Sequence, residues 1–337
     1  MIAARYRSLV ACVLALAMFG FSHGARSDDD VDYWLDRMVR AIETLSYRGT
    51  LVHMRDGHVD TLQIVHSADQ GGIRERIVSI DGPPREVLRD GKQVRVLLGG
   101  DQSMIVEGGI GSRLLPNLPP NRMSRPILAY RMAFGDSERV AGLYARVLEI
   151  RPRDQFRYGH RFWLEEKTGM LLRSALLDHE GNYLQQLTFV RIELGVPIAD
   201  SEFEPELSVS DALEIKMGPA EQTTAGDKTE LARPSWVPRM LPDGFRLASV
   251  SRGLNSQGRE FEHLLFSDGL ASFSVYIKAA QPEDGPESER IDAIGAVHVF
   301  TGQLDDHRVT VVGEVPSATV AFVAQQLQRR QSELSDR

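Results

Sequence analysis

Apolar residues recur at helical spacing in one segment near the start of the chain. They are spaced i, i+3, i+4 and i+7, and comprise Val31, Trp34, Leu35, Met38, Val39, Ile42 and Leu45. This spacing predicts one amphipathic helix. The acidic triplet Asp28 to Asp30 stands directly before it, and carboxylates at a helix N-terminus cap free N–H groups and complement the helix dipole. We interpret the triplet as a helix cap and not as a metal site.

From Tyr47 to about Leu194 the pattern changes to short β-prone runs divided by turn residues. The runs are Gly49 to Met54, Val59 to His66, Ile73 to Ile80, Arg85 to Leu88, Gln93 to Leu98, Ala145 to Ile150, Arg157 to Glu165, Met170 to Leu177 and Tyr183 to Glu193. Asp-Gly steps connect several of them, because both residues tolerate the positive φ of tight turns. The pattern predicts an antiparallel meander. A short second helix is predicted at Pro126 to Phe134.

Several of these runs are apolar on alternate residues, which places one face of the sheet in a buried position. A sheet of this width must curl or close, because long open sheets leave their edges exposed. Beneath a covering helix the apolar face is core, whereas in a wide barrel part of it lines a ligand cavity. The candidate cavity residues are Val52, Met54, Leu62, Ile64, Val94, Val96, Leu98, Phe162 and Leu164.

The stretch from Gly108 to Arg125 fits no regular element, because large apolar residues alternate with prolines and glycines. Its apolar residues are Leu114, Leu115, Leu118 and Met123. A phosphate-binding loop would need a preceding strand, a following helix and a Lys-Ser/Thr pair, which are lacking here. Long apolar loops in compact domains often form lids or binding loops, so these four residues are added to the candidate cavity.

A change of composition divides the chain into two parts. Residues 206–233 lose the alternation and fill with Ala, Thr, Glu, Gly, Asp and Lys, which predicts a linker between domains at 28–205 and 234–330. Strand-like runs follow at Trp236 to Val250, Glu260 to Phe266, Ala271 to Ala279, Ala296 to Thr301 and His307 to Val312. Ser317 is predicted to cap a closing helix. The second part therefore reads as a small α+β domain.

The first 27 residues have the features of a secretory signal peptide. Two arginines precede an apolar run, and small residues allow cleavage near residues 24–27. The single cysteine, Cys12, lies inside the apolar run and not after it, so a lipoprotein processing site is rejected. The exported chain would hold no cysteine, and therefore no disulfide or thiol nucleophile.

Composition argues against several classes of function. The 337 residues carry a formal net charge of −8 and 7% aromatic residues, which disfavours a nucleic-acid binder. The histidines form no metal-binding motif, no G-x-S-x-G occurs, and the acidic residues are scattered. We predict no catalytic residue, metal or cofactor. The residues alone indicate an exported, two-domain, β-rich binding protein.

Longer strings of residues resemble one known family. In the first domain these are Ile80-Asp81-Gly82-Pro83-Pro84-Arg85-Glu86-Val87, Phe162-Trp163-Leu164-Glu165 followed by Thr168-Gly169-Met170-Leu171, and Leu176-Leu177-Asp178-His179-Glu180-Gly181. In the second they are Trp236-Val237-Pro238, Leu241-Pro242-Asp243-Gly244-Phe245, Phe266-Ser267-Asp268-Gly269-Leu270-Ala271-Ser272-Phe273-Ser274-Val275 and Val311-Val312-Gly313-Glu314-Val315-Pro316. Both sets are similar to the MucB/RseB family, in the same order along the chain.

This resemblance implies a fold and a function. The family consists of periplasmic negative regulators of envelope-stress sigma factors of the sigma-E/AlgU type. They bind the periplasmic part of a transmembrane anti-sigma factor, protect it from regulated proteolysis, and release it when lipid or lipopolysaccharide binds. The first domain would be a half-open antiparallel β-barrel resembling LolA/LolB, within a β-rich α+β protein.

Two matters stay open at this point. Trp236, Phe266 and Phe273 are candidate partner-binding residues because they stand in the matched C-terminal strings, and association into a homodimer is not decided. The alternative function is a periplasmic lipid or lipoprotein carrier of the LolA type. A carrier of that type does not need the C-terminal domain, which favours the regulator.

Overall fold

The computed structural model describes residues 30–69, 72–91, 93–98, 102–107, 129–207, 212–216, 233–254, 258–280 and 288–330. The predicted signal peptide lies outside the described residues, as do Leu114, Leu115, Leu118 and Met123. Within the described part of the chain, no helix combines the length and the apolar character needed to cross a membrane.

The predicted opening helix is confirmed as α1 (Val31–Thr44). Asp30 is its N-cap, and the Asp30 carboxylate accepts a hydrogen bond of 3.0 Å from the Asp32 N–H. The helix ends where the Leu45 N–H donates to the Ala41 carbonyl. One face is buried by Trp34, Leu35, Met38, Val39, Ala41 and Ile42. The regularly spaced apolar residues thus form the face with which α1 packs on the sheet.

The described residues of the N-terminal domain form one large sheet of thirteen strands beside α1. They are β1 (Tyr47–Arg55), β2 (His58–Asp69), β3 (Gly72–Ser79), β4 (Arg85–Asp90), β5 (Gln93–Leu98), β6 (Gln102–Glu107), β7 (Tyr130–Phe134), β8 (Glu138–Val140), β9 (Leu143–Pro152), β10 (Gly159–Glu165), β11 (Leu171–Leu177), β12 (Tyr183–Leu194) and β13 (Ala212–Lys216). The order is β13-β6-β5-β4-β3-β2-β1-β12-β11-β10-β9-β7, with β8 on β9. Only the β13–β6 pair is parallel among these. The predicted large antiparallel sheet is confirmed.

The structure corrects two predictions in this domain. The predicted helix at Pro126 to Phe134 is wrong for Tyr130–Phe134, which forms β7 and pairs with β9. Its buried and exposed residues alternate with a period of two, but five residues are too short a run to show that period in the sequence. The predicted linker contains β13, and its residue Glu206 is held to the sheet by hydrogen bonds from its N–H to the Glu86 carboxylate.

The C-terminal domain is the predicted α+β unit. Its strands are β14 (Trp236–Pro238), β15 (Arg246–Leu254), β16 (Glu260–Ser267), β17 (Ser272–Ala279), β18 (Arg290–Ile294), β19 (Val297–Leu304), β20 (His307–Gly313) and β21 (Leu327–Arg329), with helix α2 (Ser317–Gln326). Six strands form an antiparallel sheet in the order β15-β16-β17-β20-β19-β18, and β14 pairs with β21. Ser317 is the first residue of α2 and not its cap, since Pro316 occupies the cap position without a side-chain hydrogen bond.

Candidate functional site

A row of small and apolar residues crosses the face of the N-terminal sheet that α1 covers. Strand register places Gly49, Ile64, Ile77, Val87 and Val96 directly opposite one another on five successive strands. We call these five residues the apolar row. Glycine is required at its first position, because a Cβ on Gly49 would lie 2.5 Å from the Arg191 carbonyl oxygen. The row begins in the closely packed centre of the sheet.

Burial along the apolar row decreases toward β5. Ile64 and Ile77 are 1% and 7% exposed and belong to the core that α1 completes. Val87 is half-buried against the edge of that core, and Val96 is half-buried beyond it. Leu98, two residues farther along β5 on the same face, is also half-buried. The described part of the apolar row therefore leaves the cover of α1 at β4 and β5.

The candidate cavity residues separate into four groups. Leu62, Ile64, Phe162 and Leu164 are fully buried core. Val94 is buried outside that core, while Val96 and Leu98 are at the less covered end. Leu114, Leu115, Leu118 and Met123 lie outside the described residues. Val52 and Met54 are on the opposite face of the sheet.

The placement of Val52 and Met54 corrects the expectation that they share the buried face. β1 pairs Leu51 with Leu62 and Met54 with Val59, so Leu51 points into the core and Met54 is 37% exposed. Leu51, Val52 and Met54 are all apolar, and the sequence is therefore compatible with either face of the strand. A bulge between Thr50 and Leu51 against β12 sets the outcome.

A buried polar row lies beside the apolar row. It consists of Tyr47, His66, Glu75 and Arg89, again opposite one another on neighbouring strands. His66 Nδ1 is 3.3 Å from Glu75 Oε2, Arg89 Nε is 3.9 Å from Glu75 Oε1, and the Tyr47 and His66 rings are stacked with centroids 4.8 Å apart. The same face of the sheet therefore carries a row of apolar residues and, beside it, a row of largely buried polar and charged residues.

The three candidate partner-binding aromatics are in the core of the C-terminal domain. Trp236, Phe266 and Phe273 are 3%, 2% and 1% exposed. The Phe266 and Phe273 rings stack with centroids 5.2 Å apart, and Trp236 packs edge-on against His307. This corrects the expectation that they present a surface to a partner. The family-like sequence strings that contain these three residues therefore correspond to the packed core of the domain.

The structure also brings together a polar junction that the sequence did not indicate. Arg157, in the turn between β9 and β10, contacts Asp268 of the C-terminal domain, and Tyr130 donates a hydrogen bond of 3.0 Å to the same carboxylate. Burial, followed by the charge of Asp268, raises the pKa of Tyr130 well above its usual value of 10.0, so the phenol remains a donor. Asp268 stood in a matched string, but only as part of a turn.

Comparisons with known proteins cover both domains. Residues 30–207 match the MucB/RseB N-terminal domain, and residues 230–328 match the MucB/RseB C-terminal domain. The sigma factor AlgU regulatory protein MucB of Pseudomonas aeruginosa is 33% identical over 304 residues, covering 88% of this chain and 90% of that protein. The sigma-E factor regulatory protein RseB of Escherichia coli K12 is 26% identical over 309 residues, covering 91% and 93%.

A solved structure gives the same correspondence. The crystal structure of MucB in complex with MucA(peri) is similar at a TM-score of 0.68, with 28% sequence identity. The match covers 90% of this chain and 100% of that one.

Proposed function

The chain belongs to the MucB/RseB family, and from this premise we propose that it binds the periplasmic segment of a membrane-spanning anti-sigma factor. It shields that segment from regulated proteolysis and so restrains an envelope-stress sigma factor. It acts in the periplasm as a regulatory protein and not as an enzyme. The supporting observation is the similarity across both domains to MucB, which has been crystallised with MucA(peri).

Capture from envelope extract, followed by calorimetry, tests this proposal. The exported chain is immobilised, the membrane protein it retains is identified, and the purified periplasmic segment of that protein is titrated against the chain. We expect one saturable complex with a single-span anti-sigma factor. The periplasmic segment of an unrelated single-span protein serves as control. Retention of no anti-sigma factor, or equal heat with both segments, would refute the regulatory role.

We further propose that lipid or lipopolysaccharide releases this partner by binding at the less covered end of the apolar row. Val87, Val96 and Leu98 support this proposal, because all three are half-buried on the α1 face. Burying one such side chain contributes roughly 1.5 to 3 kcal/mol. A tenfold weakening of partner binding needs only about 1.4 kcal/mol of differential affinity, so even part of this contact is sufficient.

The lipid site is tested by introducing charge on either face of the sheet. Val96→Asp with Leu98→Asp should abolish binding of an acyl lipid and leave partner affinity without lipid unchanged. Met54→Asp with Val59→Asp is the matched control, since these residues are exposed on the opposite face. Lipid should then displace the partner from the control and not from the first variant. If lipid displaces the partner from both at the same concentration, the site lies elsewhere.

A further inference from the structure

A fully buried ion pair joins the two domains. The side chains of Arg157 and Asp268 are both 0% exposed, and Arg157 Nη1 is 2.5 Å from Asp268 Oδ2. Arg157 Nη2 donates a second hydrogen bond of 2.6 Å to the Asp243 carbonyl oxygen, which also belongs to the C-terminal domain. Arg157 Nε donates to Asp154 within its own turn. The guanidinium thus holds two C-terminal turns from one N-terminal turn.

The Asp268 carboxylate is held in position by hydrogen bonds from the backbone of its own turn. Asp268 Oδ1 accepts hydrogen bonds of 2.8 Å from the Leu270 and Ala271 N–H groups, between β16 and β17. This leaves Oδ2 directed at Arg157 and at the Tyr130 hydroxyl. Both oxygens are satisfied, which is the condition under which a buried carboxylate is tolerated.

Further contacts between the domains are single hydrogen bonds and small apolar contacts, including Gln185 Nε2 donating to Glu314 Oε1 at 2.8 Å and Leu270 packing on the N-terminal core. Thr319 of α2 donates a hydrogen bond of 2.7 Å to the Phe156 carbonyl, and the Phe156 and Phe322 rings lie 5.0 Å apart. A small apolar cluster joins Tyr158, Leu176 and Leu184 to Ala296. Small contacts of this mixed polar and apolar kind leave relative domain motion as the default. The buried ion pair is therefore the contact best suited to select one arrangement of the domains.

A buried ion pair contributes orientation more than net stability. Removing two charges from water offsets much of their attraction, but breaking a buried pair leaves an uncompensated charge. Arg157 would keep a second ion pair with Asp154, whose Oδ2 lies 3.0 Å from Arg157 Nη2, whereas Asp268 would lose its charged partner. Domain arrangements that separate the two residues are therefore disfavoured unless water reaches the Asp268 carboxylate. The ion pair therefore favours one arrangement of the two domains, which we call the locked arrangement, and contributes little to the general stability of their interface.

We propose that Arg157 and Asp268 are positioning residues for partner binding, and that their ion pair holds the domains in the arrangement that the anti-sigma segment recognises. This rests on the proposed function. In this proposal the segment binds a surface composed of both domains, so its apparent affinity falls by the fraction of molecules in which the domains are correctly placed.

Asp268→Asn is the variant that opens the lock. The asparagine carbonyl oxygen can still accept from the turn, but its amide donates and carries no charge, so the attraction between the domains at this point is lost and Arg157 is left with Asp154 of its own turn. We expect a larger radius of gyration in X-ray scattering and at least tenfold weaker binding of the segment identified by capture. Asp243→Asn is the matched control, because Asp243 holds Arg157 through its backbone carbonyl alone and its side chain is exposed.

A disulfide between the domains distinguishes two explanations for weaker binding: loss of the domain arrangement, and damage to the fold of either domain. A Cβ on Gly295 would lie 3.2 Å from Asp56 Cγ, so the two domains are close enough there for a disulfide between Asp56→Cys and Gly295→Cys. Gly295 has a φ of +61°, which strains a cysteine, so each measurement compares the oxidised and reduced forms of the same double-cysteine chain. Cys12 is the only natural cysteine and lies in the predicted signal peptide. When the two cysteines are introduced together with Asp268→Asn, the disulfide-bonded chain should bind the segment with an affinity within about threefold of that of Asp243→Asn. Reduction of the disulfide should lower the affinity again.

The outcomes are distinct. If Asp268→Asn expands but binds like Asp243→Asn, or if the disulfide restores compactness without affinity, the positioning role is wrong while the proposed function stands. If Asp268→Asn stays compact and binds normally, the pair is not a lock. If Asp268→Asn does not fold, Arg157→Lys is used in its place, because lysine keeps the positive charge but lacks the planar guanidinium group that donates to several acceptors. If the unmodified chain binds no segment, the proposed function itself fails, and the scattering data alone report on the lock.

Discussion

The two large sheets of the described chain are each covered by one helix, but the cover extends over a larger share of the C-terminal sheet. In the C-terminal domain, four of the six strands present Val250, Leu264, Val275, Val309 and Val311, each no more than 3% exposed, beneath α2 and the aromatic cluster. Its edge strand β18 is exposed along its whole length. In the N-terminal domain, α1 faces thirteen strands, and Val87, Val96 and Leu98 remain half-buried.

The difference follows from width. A helix is about 10 Å across and covers about two strands at a spacing of about 4.8 Å. Aromatic side chains extend the cover over most of a six-stranded sheet, with Phe300 of β19 still buried, whereas a single helix leaves several strands of a much wider sheet half-buried. The same local design therefore gives a nearly continuous core in one domain and a partly covered sheet face in the other.

The largest effect is expected in the closed C-terminal core. Phe273→Ala removes a ring that packs against Phe245 and Phe266, with centroids 5.0 and 5.2 Å away. The free energy of unfolding should fall by about 3 to 5 kcal/mol. Urea unfolding followed by circular dichroism and by tryptophan fluorescence measures this loss. Tyr276→Ala, on the outer face of the same sheet, should cost roughly 1 kcal/mol or less, and equal losses would contradict a closed core.

A matched pair of leucines distinguishes the two ends of the N-terminal face. Leu164 is 0% exposed within the core that α1 covers, and Leu98 is half-buried on β5. Leu164→Ala should cost about 2 to 5 kcal/mol, and Leu98→Ala about 1 kcal/mol or less, because a cavity forms only where neighbours enclose the site. Urea unfolding of both variants tests this. Similar losses would mean that α1 does not define the limit of the core.

Acid should destabilise the N-terminal domain through His160. Burial lowers the pKa of His160 from 6.5 to about 4, so the unfolded state takes up the proton first as the pH falls. Stability is complete above pH 6.5 and decreases from there down to pH 4, by about 1 to 3 kcal/mol. Urea unfolding at a series of pH values should show this slope, and His160→Gln should reduce it, while a smaller slope remains from His53, whose pKa is also lowered by burial. A slope unchanged in His160→Gln would assign the effect to other groups.

The smallest expected difference is between the starts of the two helices. Asp30→Ala removes the carboxylate that caps α1 and should cost about 1 kcal/mol. Ser317→Ala is the counterpart at α2 and should cost close to nothing, because no side chain caps that helix. Thermal unfolding of the two variants compares them. An equal loss from Ser317→Ala would indicate a capping role that the backbone geometry does not show.

The sequence by itself determined those features whose physical cause acts over a few residues. The limits and buried face of α1 follow from a spacing of three and four residues and from Asp30 as its cap. Most strands were located by the turns between them, and Gly57, Gly91 and Gly181 do have the positive φ expected of those turns. The family was then identified from longer sequence motifs, which occur in both domains in the same order as in the MucB/RseB family.

Only the tertiary structure decided which side chains meet across long separations in sequence. The face of β1 depends on its partner strands, because a shift of one residue exchanges the two faces and Leu51, Val52 and Met54 are all apolar. Arg157 and Asp268 are 111 residues apart, and nothing near either one marks it for burial. The packing of one domain on the other removes both from water, and that requirement is met only when the whole chain has folded.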